Sequence, residues 1–405
     1  MSALTPIQSA TRARNALWAS FGVMGVVAMA WVPRIPEIKD SLHLNNGQFG
    51  LMLMGSTSGA VVGAQLSGRL IHTFASRRVA KVSSVWMPLG LIGMAYSKNA
   101  LSLFISLFLM GLGYSILDIC VNTQAVAVEK ILKKRWMSSF HALWSTGAFV
   151  TTVFGGVIAA HTTPKFNLVF VGLLCLVLFV PGVAYLLDDE LDDHDGGHED
   201  TQAKIPLFGK SVAPLWAMGI GLFGALIAEG SVSDWSTILL RDHIGISKGL
   251  NASGFACFAL AMIFSRFMGD YVLERLGPAK TVRIGGYMGG SAMAISIAIA
   301  VPLSSHSHIG ALVVTNIGFI IAGLGMGPIW PAYILGASSV PGIAPGVGIA
   351  RAGVIGLSAF FVGPAVVGSL AQVTSLPIAF GLPAVMFIFS GYQSRAIKKS
   401  KSESK

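Results

Sequence analysis

The stretch LFLMGLGYSILDICVNTQAVAVEK, residues 107–130, decides the fold. It is apolar and long enough to cross a bilayer, since a spanning helix needs about 20 mostly apolar residues. It nevertheless carries an acid near its middle, Asp118. A carboxylate there costs roughly 2.5–3.5 kcal/mol on insertion scales, and such residues usually line a polar pathway. Asn122 follows one turn later. The segment predicts a membrane protein that moves something across the bilayer together with a proton.

The rest of the chain agrees. Of 405 residues, 53% are hydrophobic and 11% charged, and the mean hydropathy is +0.70. Soluble domains average about 25% charged residues, so an integral membrane protein is expected. Twelve candidate spans follow from the apolar runs: 15–33, 48–70, 79–96, 100–128, 138–161, 166–187, 212–240, 249–274, 282–303, 308–336, 345–372 and 376–394. One long polar interruption, 188–211, contains DDELDDHDGGHED and reads as a solvated acidic linker. His194 and His198 within it are read as part of that tether rather than as metal ligands. The expected organisation is an N-terminal bundle over 1–187, the linker over 188–211 and a C-terminal bundle with a basic tail over 212–405. The expected fold class is all-α, with twelve transmembrane helices in two pseudo-symmetric six-helix bundles.

A net charge of +10 invites a nucleic-acid reading, but its placement opposes one. Basic residues cluster at Arg12/Arg14, Arg77/Arg78/Lys81, Lys130/Lys133/Lys134/Arg135, Lys280/Arg283 and Arg395 to Lys405. These are the tails and alternate loops that share one side of the membrane. The opposite loops hold only Arg34, Lys39, Lys98, Lys165, Arg241 and Lys248. Positive loops stay inside, so both termini and the linker are expected in the cytoplasm of a bacterial inner membrane. Residues 12–30 imitate a signal peptide that ends in Ala28-Met29-Ala30, but eleven further spans follow, and the segment reads as a retained first helix. Cys120, Cys175 and Cys257 lie in apolar runs whose spacing suits neither disulfides nor a metal, and they read as packing residues.

The halves repeat. Ala16-Leu17-Trp18-Ala19 corresponds to Pro214-Leu215-Trp216-Ala217, with the tryptophans 198 residues apart. GRLIHTFASRRVAK (68–81) corresponds to SRFMGDYVLERLGPAKTV (265–282), with Arg69 and Arg266 197 apart. Gly111-Leu112-Gly113 matches Gly323-Leu324-Gly325. Duplicated halves are a known architecture for alternating access. On these residues the chain resembles the major facilitator superfamily along essentially its whole length. GRLIHTFASRR is similar to that superfamily's G-x-x-x-D-R-x-G-R-R loop, with His72 where the usual acid would stand, while the second loop keeps Asp270. The resemblance implies that Arg69, Arg77, Arg78, Arg266 and Asp270 brace helix ends and gate the transition between states.

A narrower resemblance is to fucose-permease-like transporters, especially YbjJ-type bacterial members. Gly111-Leu112-Gly113 precedes Asp118-x-x-x-Asn122, and Arg135 through His141, Trp144, Ser145 and Gly147 are similar to the fifth helix of that branch. The branch usually carries a second acid in its first helix. Here Leu17 to Val32 has none, and Glu37 and Asp40 follow the span. Sugars are the substrate class that this resemblance implies.

Helical projection supplies the candidate residues. Gly111, Ser115, Asp118, Asn122, Ala125 and Glu129 share a small polar face at i+3/i+4 spacing. Asp118 is the proton-coupling candidate, and Asn122 could bond that carboxyl or a substrate hydroxyl. His141, Ser145 and Thr152 form a similar face on the fifth helix, with Trp144 one position off. Glu229 is a second intramembrane acid, beside a Gly230 at which its helix could break; Asp234 lies further along and could pair with Arg241. Gln65, Asn316 and Trp330 are further cavity candidates. Arg351 needs a partner, and Glu129 at the same level is the natural one for an inner gate. The spacing Gly55-x-x-x-Gly59-x-x-x-Gly63 predicts close helix packing. The fifth helix lacks the Gly-Pro signature of antiporters, which favours symport.

No nucleophile–base pair, metal cluster or phosphate loop is present, so an enzyme and built-in ATP drive are not expected, and neither is a cofactor or metal. The expected partners are a small-molecule solute, protons and the lipid bilayer, with the chain acting as a monomer. A proton-coupled exporter of drugs or metabolites and a non-transporting membrane sensor are the alternative functions.

Overall fold

The computed structural model describes residues 5–134, 136–191, 209, 212–341, 343 and 345–397. Most of the acidic linker, including His194 and His198, therefore lies outside the described residues. The described chain is helical, with no strand. In order, the first helices are α1 (Pro6–Met29), α2 (Ile35–Ser41), α3 (Asn46–Phe74), α4 (Ser76–Ala95), α5 (Ala100–Leu132), α6 (Met137–Ala159) and α7 (Pro164–Ala184). After the linker come α8 (Ala213–Ile238), α9 (Ser253–Phe267), α10 (Gly269–Leu276), α11 (Pro278–Leu303), α12 (His308–Met326), α13 (Ile329–Ser338), α14 (Pro345–Leu357), α15 (Ala359–Val373), α16 (Leu376–Ala379) and α17 (Gly381–Gln393).

Eleven helical stretches among the described residues are long and apolar enough to span a bilayer. The remaining span expected from sequence is the third, α4, whose Arg77, Arg78 and Lys81 dilute its apolar character. The tenth, eleventh and twelfth spans are each built from two helical pieces rather than one. Gly327-Pro328 separates α12 from α13, Ser358 separates α14 from α15, and Phe380 separates α16 from α17. The eighth span ends at Phe267, and α10 is a separate short helix rather than its continuation. In contrast, α8 runs unbroken through Gly230.

Local chemistry sets the helix starts. α1 begins nine residues before the expected span because Thr5, Pro6 and Gln8 form a capping box with proline at the first position. Arg12 and Arg14 therefore sit on the helix and not ahead of it. Asn99 and Ser102 cap α5 in the same reciprocal way, with Asn99 Oδ1 accepting from the Ser102 amide at 2.8 Å. Thr163 and Pro164 start α7.

The chain forms two compact units: Met1–Leu44 with Leu51–Asp200, and Asn45–Gly50 with Thr201–Lys405. In the first unit α1 packs on α6 so closely that a β-carbon on Gly25 would fall 2.0 Å from the Trp144 carbonyl oxygen. The expected glycine seam is present too. A β-carbon on Gly59 would fall 2.0 Å from the Phe108 carbonyl, placing α3 directly against α5. In the second unit α8 is buried along most of its length, and Trp235 is fully enclosed.

Candidate functional site

In the first unit, α5 carries Asp118 half-buried near its middle. Asn122 Nδ2 donates to the backbone carbonyl of Asp118 at 2.8 Å, so the amide stands beside the acid one turn away. Tyr114, one turn before Asp118, adjoins both Asp118 and Trp144. The Trp144 indole Nε1 is buried with no hydrogen-bond partner that meets the geometry. The structure thus groups an acid, an amide, a phenol and an indole N–H beside that phenol. Sequence reasoning missed Tyr114, although its i−4 spacing to Asp118 was the available signal.

The remaining members of the α5 stripe are used for packing. A β-carbon on Gly111 would meet the Ser56 carbonyl at 1.9 Å, and Ser115 lies against Gly63, so both face the α3 seam. Ala125 is fully buried. On α6, His141 sits edge-on to Phe21 with ring centroids 5.1 Å apart, and Ser145 Oγ bonds back to the His141 carbonyl at 3.1 Å. Gln65 on α3 is exposed.

At the end of α5, Glu129 does not have a free carboxylate. Its Oε1 accepts from the backbone N–H of Trp136 and from that of Met137, the latter at 2.7 Å, and so caps the start of α6. Nearby, Arg77 pairs with Asp188 and donates to the Ala184 carbonyl, and Arg78 pairs with Asp189 at 2.6 Å. The first acids of the linker therefore pair with arginines while still facing solvent, and they oppose the arginines of a loop that has His72 in place of an acid. Gln124, fully buried, closes the same corner. Its Nε2 donates to Ser76 Oγ at 2.8 Å, and its Oε1 accepts from the Leu187 amide at 2.8 Å. Arg69 is exposed beyond this corner. Gln124 lies off the Asp118 stripe, and nothing in its sequence neighbourhood marks its partners.

In the second unit, Glu229 is half-buried on α8, near enough to Arg266 to feel its charge. Arg266 and Trp330 line a cavity of about 230 Å³ with Gly269, Gly327, Pro328 and Pro331, at the break between α12 and α13. Asn316 exchanges hydrogen bonds with Ser253, donating at 3.0 Å. Asp234 is half-buried beside Ser233, while Arg241 pairs with Asp242 at 2.5 Å. Arg351 is half-buried on α14. The side chain of Asp270 lies outside the described residues.

Two units of membrane-spanning helices, each holding acids within its spans, define a multi-pass membrane transporter. The chain belongs to the major facilitator superfamily, whose sequence pattern matches residues 16–350. It is 30% identical over 386 residues to an MFS-type transporter of Yersinia pestis, covering 94% of both chains. Among solved structures, it resembles the nucleoside transporter NupG with a TM-score of 0.74 and 11% identity, over 96% of this chain and 100% of that one. It resembles a D-xylose-proton symporter with a TM-score of 0.67 and 14% identity, over 99% and 100%. At these identities the structural likeness bears on the fold.

Proposed function

We propose that this transporter is a proton-coupled symporter of a small polar solute, with sugar-bearing molecules as the substrate class and Asp118 as the residue that carries the proton. The observation behind this reading is the group on α5 and α6: Asp118 flanked by Asn122 and Tyr114, with Trp144 against Tyr114. An acid inside the membrane is costly and marks a pathway. The amide and phenol suit the hydroxyls of a sugar, and the indole offers a flat apolar face and a buried N–H beside the Tyr114 phenol. NupG and the D-xylose-proton symporter, by their names, take solutes that contain a sugar, which supports this class. Glu229 in the second unit is the second proton-coupling candidate. The uneven basic loops support a bacterial inner membrane with both termini cytoplasmic.

The test is Asp118→Asn in proteoliposomes with an imposed pH gradient, using D-xylose and uridine as probes. Uphill accumulation is lost, while exchange of labelled for unlabelled solute continues. Accumulation at the wild-type level would remove Asp118 from the proton pathway.

A further inference from the structure

The start of α1 and the turn between α5 and α6 hold a cluster separate from the group around Asp118. The Arg14 guanidinium lies 4.8 Å from the ring centroid of Trp18 and 4.8 Å from that of Trp136. Lys134 Nζ lies 4.5 Å from the Trp136 centroid. The rings themselves are held in place. Trp18 and Trp136 meet edge to face at 5.4 Å, and Trp18 Nε1 donates to Ser139 Oγ at 2.9 Å. Lys133, with a left-handed φ of 51°, ends α5 and turns the chain so that Lys134 and Trp136 return toward α1.

Two cations thus share one indole, and no carboxylate among the described residues pairs with either. Arg14 bonds only the Asn15 amide oxygen, at 3.0 and 3.3 Å. Glu129, the nearest acid in sequence, is occupied by the Trp136 and Met137 amides. A cation seated on a ring face keeps its N–H groups for a partner on the open side. Tryptophans at helix ends suit the depth of lipid headgroups, and basic residues at that depth attract anionic lipid. We propose that Arg14 and Lys134, seated on Trp18 and Trp136, bind the phosphate of one anionic phospholipid at the edge of the first unit. The bound headgroup ties α1 to the α5–α6 turn.

The test uses the full-length protein, delipidated in detergent and titrated with phosphatidylglycerol or with phosphatidylcholine, with retained lipid counted by native mass spectrometry. The wild type retains phosphatidylglycerol in preference to phosphatidylcholine. At about 1 kcal/mol per basic residue near a membrane surface, Lys134→Gln weakens retention about fivefold, and Arg14→Gln with Lys134→Gln about 25-fold. Lys134→Arg retains the lipid. Lys134 is exposed beyond a helix end, so its single variant tests the site even if the double variant fails to fold. Equal retention of the two lipids by the wild type, or undiminished phosphatidylglycerol binding by Lys134→Gln, overturns the proposal. Displacement of the lipid by millimolar inorganic phosphate overturns it as well, by assigning the site to a free anion.

Discussion

Arg34 Nε donates to Asn167 Oδ1 across 3.2 Å, joining residues 133 positions apart. The guanidinium is fully buried, and every edge of it is used. Nη1 reaches Glu37 at 3.0 Å and the carbonyls of Ala159 and Thr162, and Nη2 reaches Thr162 Oγ1 at 2.6 Å. Arg34 therefore closes the C-terminal end of α6, where carbonyls lack helical partners and a cation is favoured. It holds α6 against α2 and α7, and with it the helix that carries Trp144.

Removing that guanidinium takes the Arg34 bond from Glu37 and the same donor from several carbonyls. Arg34→Ala is expected to cost about 3–5 kcal/mol, as for other broken buried ion pairs. Arg34→Lys keeps the charge but not the fork, and falls between. Thermal unfolding of the purified protein reads both; an unshifted melting curve for Arg34→Ala would show that the network contributes nothing.

The corner around Gln124 separates buried from exposed contacts. Gln124→Leu strands the Leu187 amide and is expected to lose about 1–3 kcal/mol. Arg78→Ala breaks a pair whose arginine side chain is 68% exposed, and is expected to lose less than about 1 kcal/mol. Equal losses in parallel denaturation experiments would contradict this ranking.

The α1–α6 seam has no room for a methyl group. Gly25→Ala forces the helices apart, with an overpacking cost of about 1–3 kcal/mol or more. Gly353, with nothing within 4 Å of its would-be β-carbon, serves as the control. Gly353→Ala is expected to be neutral or to gain up to about 1 kcal/mol of helix propensity. Should the two variants melt alike, the close approach of α1 and α6 is not a constraint.

Trp144→Phe removes an indole N–H that adjoins the Tyr114 phenol and makes no hydrogen bond of full geometry among the described residues. Stability is expected to stay unchanged, while the apparent affinity for a sugar-bearing substrate falls about 2- to 12-fold, the worth of one hydrogen bond. KM from initial uptake rates, measured beside the melting temperature, checks it. A drop in stability with unchanged KM would assign the indole to packing.

Hydropathy made the spans legible, along with Asp118, a lone acid in a long apolar run, and matched motifs in the two halves made the duplication legible. The Gly55/Gly59/Gly63 seam was also readable, since a spacing of four is a property of one helix. What these signals share is that each rests on short windows of about 20 residues, compared between halves for the duplication, and needs no knowledge of spatial neighbours. The partners of polar residues are not local. Arg34 reads as a loop charge until Asn167 arrives beside it, and nothing near Glu129 in sequence shows that the Trp136 and Met137 amides turn back onto it. Asp188 and Asp189 read as solvated, and only the fold adds that Arg77 and Arg78 meet them there; Tyr114 gains its place only once α6 brings Trp144 alongside. The sequence by itself thus determined a duplicated membrane-spanning transporter with an acid in its fourth helix, because burial in lipid is set residue by residue. Only the tertiary structure decided which polar groups that acid sits among and which are consumed in holding helices together, because a hydrogen bond depends on which distant side chain the packing delivers.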